Sequence, residues 1–281
     1  PATEITKTLC ETLSDGAVLS FGLESADPDV HEANWLNCSP EQLKTAVRLI
    51  NEYGKERGER GLPKLLPGLN FIAGLNGETS TSYSHNRELL QQLKEEELWL
   101  RRINIRQVEG EGFQEVEEEP FKQFKEWVRD EIDAPLLEEM FPAGQVLKRV
   151  RWESHDNRIR IPSQLSEKHR SPKIHGKAGV TFGRQIGAYP ILIGVPYHIP
   201  LESESDILVT SHGKRSITGV ETGLDINTVT QSQLEAIPGI GEKTAWRIIS
   251  QRAKKMSKGQ EFGFDEAFEG LEIPEAAHSV F

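Results

Sequence analysis

The chain has 281 residues, enough for two or three domains and a sizeable apolar core. Its net charge of −11 at pH 7 excludes a protein that is basic over its whole surface and coats nucleic acid. The two cysteines, Cys10 and Cys38, make neither a disulfide framework nor a metal-ligand spacing, so we expect a reducing, cytoplasmic compartment. The sequence shows no secretory signal and no apolar run near ~18 residues, so we expect no membrane span.

The negative charge is unevenly distributed, and two segments are locally basic. Residues 151–220 contain 10 basic and 6 acidic residues, and residues 231–258 contain six basic and two acidic ones. By contrast, residues 109–119 contain six acids and two glycines, which is typical of a solvated connector. The two basic segments are therefore the places to look for a polyanionic partner.

The first elements are a strand and a capped helix. The apolar residues 17–23 predict a buried strand, which turns outward over residues 24–28. Ser39 and Gln42 predict a capping box at the start of the next helix, with a proline at its first position. An apolar stripe at helical spacing follows, and Gly54 is predicted to end the helix in a left-handed conformation.

A second strand and a glycine-rich turn organise the first 110 residues. Residues 66–79, LPGLNFIAGLNGET, combine an apolar run with two glycines and precede a helix pattern. Residues 101–108 alternate as a third strand does. The order β-α-β-α-β predicts a parallel sheet with right-handed crossovers, and such folds place ligands at the carboxyl ends of their strands. A tight turn without a ligand explains the glycines equally well.

The segments FGLESADPDV, LPGLNFIAGLNGET and RRINIRQV, in this order, resemble the second half of the barrel of radical S-adenosylmethionine (SAM) enzymes. The family's fourth strand ends in G-x-E-S, matched by residues 22–25. Its fifth strand carries a G-x-I-x-G-like segment ending in G-E-T, matched by residues 70–79. The resemblance implies that Glu24 and Ser25 contact the ribose or methionine of SAM. It also implies that the backbone near Ile72 and Gly74 packs against the adenine. A helix-capping turn is the alternative for Glu24 and Ser25.

Enzymes of this family hold a [4Fe–4S] cluster through a C-x3-C-x2-C motif, with one iron open for SAM. This sequence has no such motif, so we expect SAM and [4Fe–4S] in the full-length family and neither bound to this chain alone. We assign no catalytic residue and no metal ligand. The resemblance, to an archaeal-type family, implies reductive SAM cleavage and hydrogen abstraction from an unknown substrate. It also implies that a missing barrel half, or self-association, covers the first strand.

Residues 147–220 change in character. Short β-like runs at 178–182, 189–195, 206–212 and 214–220, separated by glycine and proline turns, predict a small antiparallel barrel. The run DILVTSHGKRSITG resembles the TRAM-type barrels with which some radical SAM enzymes hold RNA. A solvated loop surface is the alternative. The basic candidates of this module are Lys173, Lys177, Arg184, Lys214 and Arg215.

Residues 234–249, LEAIPGIGEKTAWRII, predict two helices joined by a tight hairpin. Thr230 and Gln233 predict a capping box, and the free N–H groups at the start of the second helix suit an anion. The pattern resembles the helix-hairpin-helix motif, which grips the nucleic-acid backbone without reading sequence; a packing module is the alternative. The residues implied to bind nucleic acid are Gly239, Ile240, Gly241, Lys243 and Arg247. Residues 262–281 are a candidate degenerate second copy that lacks the G-h-G hairpin.

These observations predict an α/β fold class built from a partial, half radical SAM-type barrel. The half-barrel is expected at residues 1–110 and is followed by an acidic linker and helix at 111–146. A small mainly-β module is expected at 147–220, and a C-terminal all-α helix-hairpin-helix domain at 221–281. The predicted function is that of the C-terminal part of a radical SAM iron–sulfur enzyme, and we expect this part to be inactive as this chain alone. The alternative is a non-catalytic nucleic-acid-binding protein that uses the hairpin. DNA and RNA both remain open as the nucleic acid.

Overall fold

The computed structural model describes residues 2–156, 162–163, 173–174, 179–187 and 189–281. The chain forms two compact units, Pro1–Met140 with Gly187–Tyr189, and Phe141–Ile186 with Pro190–Phe281. The first unit contains a parallel sheet and the second a closed barrel. No helix within the described residues is long and apolar enough to cross a membrane.

The first unit consists of a three-stranded sheet and the helices that follow its strands. In chain order its elements are α1 (Thr3–Thr12), β1 (Ala17–Glu24), α2 (Pro28–Asn34), α3 (Pro40–Gly54), β2 (Leu65–Ala73), α4 (Ser82–Glu95), β3 (Arg102–Gln107), α5 (Glu118–Trp127), a π-helical segment (Val128–Asp133) and α6 (Ala134–Met140). The strands lie in the order β1-β2-β3, and both pairs are parallel. The predicted parallel pairing of the three strands is therefore confirmed. Strand β1 lies at an edge of the sheet, and self-association through that edge stays a prediction.

The two faces of this sheet differ in polarity because side chains alternate along each strand. One face buries Leu65 and Phe71, and the ring of Phe71 meets that of Phe124 edge-on at 5.7 Å. The opposite face carries Asn70 and Asn104, whose side chains are joined by a hydrogen bond from Nδ2 of Asn104 to Oδ1 of Asn70 at 2.8 Å. Of the predicted cofactor-binding residues, Ile72 lies on the same face as Asn70, two positions further along β2.

Helix α3 begins as predicted but ends for a different reason. Ser39 and Gln42 form the capping box. Gly54 is not a left-handed cap: it is the last helical residue, and Lys55 after it is right-handed with φ −66°. A Cβ on Gly54 would overlap the carbonyl oxygen of Leu65. This glycine is required because α3 lies directly against the backbone of β2.

Pro135 lies inside helical structure, although a proline usually ends a helix before it. After α5 the chain passes through the π-helical segment into α6, which begins at Ala134 and contains Pro135. Proline lacks an N–H and clashes with the carbonyl four residues earlier. The carbonyl of Glu131, four residues before Pro135, accepts a hydrogen bond from Nζ of Lys94 at 2.8 Å.

The second unit combines a barrel with short helices. Its elements are β4 (Val146–Asp156), β5 (Pro162–Ser163), β6 (Lys173–Ile174), β7 (Val180–Gln185), β8 (Leu192–Val195), β9 (Glu204–His212), β10 (Ser216–Glu221), α7 (Gln231–Ala236), α8 (Glu242–Met256), α9 (Phe264–Ala267) and α10 (Glu275–Val280). The barrel closes in the order β10-β8-β7-β4-β9. Strands β10 and β8 are parallel, and the other barrel pairs are antiparallel. The barrel is therefore mixed, where the sequence predicted an antiparallel one.

The interior of the barrel is filled by side chains, as expected of a barrel this small. Trp152 is fully buried, and its Nε1 donates a hydrogen bond to Oγ of Ser205 at 2.8 Å. A Cβ on Gly183 would lie 2.8 Å from Cε3 of Trp152, and one on Gly219 would overlap the side chain of Ile207. The two glycines make room for the large side chains of the core.

The predicted fold class is wrong. The first unit has an open three-stranded sheet and not a radical SAM-type half-barrel, and the closed barrel is a five-stranded one in the second unit. The C-terminal helices do not form a separate all-α domain, because they belong to the same compact unit as that barrel. Nε2 of Gln233 in α7 donates to Glu221 in β10 at 3.2 Å, and the N–H of Leu224 donates to the carbonyl of Val280 at 2.9 Å. Helices as short as α7 and α10 bury too little apolar surface among themselves to stand alone.

Candidate nucleic-acid interface and sheet-edge site

The loop at the carboxyl end of β2 is held by a buried glutamate. Glu78 is 7% exposed; its Oε2 accepts the N–H of Gly74 at 3.2 Å and its Oε1 accepts the O–H of Tyr83 at 2.7 Å. Burial raises the pKa of Glu78 above its ordinary value, and the two hydrogen bonds oppose that rise. The buried carboxyl group therefore stabilises the glycine turn by bonding its backbone.

Gly74, predicted to pack near adenine, is covered by the chain itself. Its φ is +94°, and a Cβ would lie 2.7 Å from the carbonyl oxygen of Val108. The N–H of Gln114 donates to the carbonyl of Gly74 at 2.9 Å, and Nε2 of Gln114 donates to the carbonyl of Glu78 at 2.5 Å. The segment predicted as a solvated connector therefore packs on this turn. Ile72 is half-buried on the polar face of the sheet.

Ser25 is part of a turn that caps α2. It is 2% exposed, and its Oγ accepts the N–H of Asp27 at 3.1 Å. Asp27 is the N-cap of α2 and accepts the N–H of Asp29 at 2.9 Å. Its other carboxylate oxygen accepts the hydroxyl of Ser82 at 2.5 Å. The helix-capping alternative thus describes Ser25.

Glu24 is different, because part of its carboxyl group is unused. Its backbone is left-handed with φ 66°, and its Oε1 occupies the space where a side chain on Gly22 would lie. Its Oε2 is buried and has no hydrogen-bond partner among the described residues. Burial raises the pKa of Glu24, and the positive charge of Arg106 opposes that rise. Of the four residues predicted to bind the cofactor, this is the one with an unpaired polar atom.

The described residues do not fit a metal centre. They contain no group of three or more His, Cys, Asp or Glu side chains placed to hold an ion. Both cysteines are free thiols, and Cys10 is buried while Cys38 is half-buried. An iron–sulfur cluster needs several thiolates at one point. Such a cluster is therefore not assigned to these residues.

The helical hairpin of the second unit has the predicted local structure. Thr230 and Gln233 form the capping box of α7. In the turn, Gly239 has φ +90° and Ile240 donates its N–H to the carbonyl of Ile237 at 3.0 Å. Gly241 is the N-cap of α8, with φ −88°, and has no side chain to bond the first N–H groups of that helix. The two glycines thus have different roles, the first in the turn and the second at the helix start.

The basic side chains of α8 are unequal. Lys243 is exposed in the first turn and has no bonded partner among the described residues. Nη2 of Arg247, by contrast, donates to the carbonyl of Glu269 at 2.6 Å. Arg252 donates to the carbonyl of Val229 at 2.7 Å. Of the two predicted phosphate-binding cations, Lys243 remains available and Arg247 holds the segment after α9.

Trp246 was missed in the sequence. It is 64% exposed and lies three residues after Lys243, on the same side of α8. The signal was present, because Ala245 and Ile248 mark the buried side of the helix and position 246 falls outside it.

The tail shares one feature with the hairpin. Gly270 has φ +71°, and Leu271 donates its N–H to the carbonyl of Phe268 at 2.9 Å, as Ile240 does to Ile237. A Cβ on Gly239 would lie 2.9 Å from Pro274 in this segment. The tail thus packs against the hairpin turn, although its first helix, α9, has only 4 residues.

The barrel presents a basic hairpin of its own. Lys214 and Arg215 are exposed in the tight turn between β9 and β10, where Gly213 donates its N–H to the carbonyl of Ser216 at 2.8 Å. Arg184 is paired with a glutamate of β4. Among the other basic candidates, Lys177 lies outside the described residues, as does Ala178 at the start of a predicted strand. Of Lys173 only the backbone, in β6, is described.

A scan against protein families finds no match. The chain is 37% identical over 246 residues to an uncharacterized protein of Archaeoglobus fulgidus, a match that covers 84% of this chain and 42% of that protein. It is 35% identical over 227 residues to an uncharacterized protein of Methanocaldococcus jannaschii, covering 77% and 38%. The chain therefore spans about two fifths of the length of the curated relatives it matches.

Proposed function

We propose that this chain is the nucleic-acid-binding part of a longer radical SAM enzyme and that its second unit holds the nucleic acid. The chain covers only 42% and 38% of two relatives, and this supports its being part of a longer protein. The sequence resemblance supports the enzyme class. A cytoplasmic location belongs to the same proposal, because two free cysteines suit a reducing compartment.

The observation that carries nucleic-acid binding is the exposed Lys243 in the first turn of an α8 that lacks a side-chain cap. Free N–H groups and the helix dipole favour a phosphate at this end, and a lysine ammonium adds a full positive charge. Five-stranded Greek-key barrels of the OB type bind oligonucleotides partly through the loop between their fourth and fifth strands. In this barrel that loop contains Lys214 and Arg215.

The test is fluorescence anisotropy of labelled nucleic acids titrated with the full chain and with Lys243→Glu. We expect the variant to weaken binding by roughly tenfold and alike on every sequence, because phosphate contacts carry no base information. Lys122→Glu is the matched control, since Lys122 is an exposed lysine of α5 in the first unit. Equal losses in the two variants would refute a specific role for the hairpin.

A SAM contact is supported at one residue of the first unit. The buried Oε2 of Glu24 has no partner among the described residues, and a buried acceptor of this kind is normally hydrogen-bonded. The amino group of the methionine portion of SAM is a suitable donor. In the radical SAM family, SAM and the cluster together supply the radical that abstracts hydrogen from the substrate. Here the cluster would be held by another part of the longer protein.

Isothermal titration of the chain with SAM tests this contact. We expect weak binding that Glu24→Gln reduces roughly tenfold or more, since a hydrogen bond to a charged group is lost. Glu32→Gln is the control, because Glu32 is exposed in α2. If both variants bind SAM as the wild type does, Glu24 is not a SAM residue.

A non-catalytic nucleic-acid-binding protein is the second candidate. It is favoured by two of the predicted SAM residues: the hydroxyl of Ser25 bonds the backbone of Asp27, and the space beside Gly74 is filled by the chain near Val108. Nucleic-acid binding together with no detectable SAM binding would favour this candidate over the first.

A further inference from the structure

Trp246 is a large aromatic side chain held in solvent on a well-formed helix. It lies in the second turn of α8 and is 64% exposed, while its neighbour Ala245 is fully buried. Burying an indole is favourable and gives up little side-chain entropy, so such a residue is a strong anchor for a partner. Lys243 lies on the same side of the helix, which gives this surface a positive charge next to an aromatic ring.

We propose that Trp246 stacks on an unpaired base of a nucleic-acid strand whose backbone lies on the hairpin. The second unit would then prefer single-stranded nucleic acid to duplex. This inference rests on the proposed nucleic-acid binding and specifies its ligand. Aromatic side chains beside basic groups are the usual means of binding single strands without reading sequence.

The spacing along α8 suits one nucleotide. Trp246 is five residues beyond Gly241, which corresponds to about 7.5 Å along the helix axis. A phosphate at the helix start and Lys243 would therefore leave the attached base beside the indole. In a duplex both faces of an interior base are covered by its neighbours, so the ring of Trp246 has no face to stack on.

The charges around Trp246 favour a polyanion only in part. Lys243 attracts the backbone, whereas the exposed Glu242, four residues before Trp246, repels it. We therefore expect Glu242→Gln to tighten binding of single-stranded DNA. If this surface bound a second copy of the chain and not a nucleic acid, Glu242→Gln would leave the affinity for single-stranded DNA unchanged.

The test compares a labelled single-stranded DNA of about 15 nucleotides with a blunt-ended duplex of the same sequence, both titrated with the full chain. We expect Trp246→Ala to weaken single-strand binding by roughly 5- to 150-fold, the range for one stacked base, and to leave duplex binding unchanged. Trp246→Phe should restore part of the loss. Trp35→Ala is the matched control, since Trp35 is 88% exposed in the first unit.

Intrinsic fluorescence gives a readout that a purely structural role would not move. Stacking should quench the emission of the wild type on addition of unlabelled single strand, and the quench should disappear in Trp246→Phe. Unchanged single-strand affinity in Trp246→Ala, or a wild-type preference for duplex, would overturn this inference and leave the proposed function standing if Lys243→Glu still weakens binding. Absence of binding to both probes would overturn both. If Trp246→Ala abolishes only self-association in light scattering, the surface is a contact between copies and the inference is wrong.

Discussion

Gly239 is the residue on which the hairpin turn depends, and Gly239→Ala should destabilise the second unit. Its φ of +90° is a conformation that residues with a Cβ rarely adopt. A Cβ there would also lie 2.9 Å from both Cβ and Cγ of Pro274, which belongs to a rigid ring. The unfavourable backbone conformation and the contact with Pro274 both penalise the added Cβ.

The expected destabilisation follows from these two effects. A left-handed backbone costs an L-residue about 1–2 kcal/mol. Overpacking by one methyl group adds about 1 kcal/mol or more where the neighbour cannot move freely. We therefore expect a loss of about 2–3 kcal/mol in the free energy of unfolding. With a urea slope of about 2 kcal/mol/M, the midpoint should fall by about 1–1.5 M.

The assay is urea unfolding followed by tryptophan fluorescence, to which the buried Trp152 of the barrel contributes. The control is Gly241→Ser, because Gly241 has φ −88° and an N-cap position that serine suits well. We expect the control to unfold within about 0.5 kcal/mol of the wild type. Equal stability of Gly239→Ala, Gly241→Ser and the wild type would refute this account of the turn.

Three further predictions concern stability. Gly54→Ala should destabilise the first unit by about 3 kcal/mol in urea, because the added Cβ meets a backbone carbonyl that cannot move aside; an unchanged midpoint would contradict this. Trp152→Phe should destabilise the barrel by about 1–2 kcal/mol, measured by thermal unfolding, since the hydrogen bond to Ser205 is lost. The raised pKa of Glu78 means that its contribution to stability is full below the ordinary pKa and falls as pH rises through the folded value. We expect the free energy of unfolding of Glu78→Gln, measured from about pH 4 to about pH 7, to depend less on pH than that of the wild type. Parallel curves for the two proteins would contradict this.

Local signals in the sequence predicted local structure well. Both capping boxes, Ser39 with Gln42 and Thr230 with Gln233, are where the sequence placed them. A capping box depends on residues three apart, so all the information lies within one helical turn. The parallel pairing of the first sheet was likewise predictable from the order of its elements.

Contacts between distant residues were the source of the errors. Gly54 was interpreted as a helix cap, although its reason is the backbone of Leu65 on another element. For Gly74 the sequence favoured a ligand-binding turn and a turn without a ligand equally, and it did not show that the chain near Val108 packs there. The barrel closes through the parallel pairing of β10 with β8, which no local pattern specifies. A glycine in the sequence indicates that another group packs closely at that position, and the sequence does not identify the group.

The most direct test of nucleic-acid binding by the hairpin is the salt dependence of that binding for the full chain. Arg247 and Arg252 are engaged with backbone carbonyls, so Lys243 and the start of α8 should neutralise about two phosphates. The plot of log affinity against log salt for duplex DNA should then have a slope of about −2, and Lys243→Glu should make it shallower by about one. No binding at about 50 mM salt, or the same slope in the wild type and Lys243→Glu, would contradict the account.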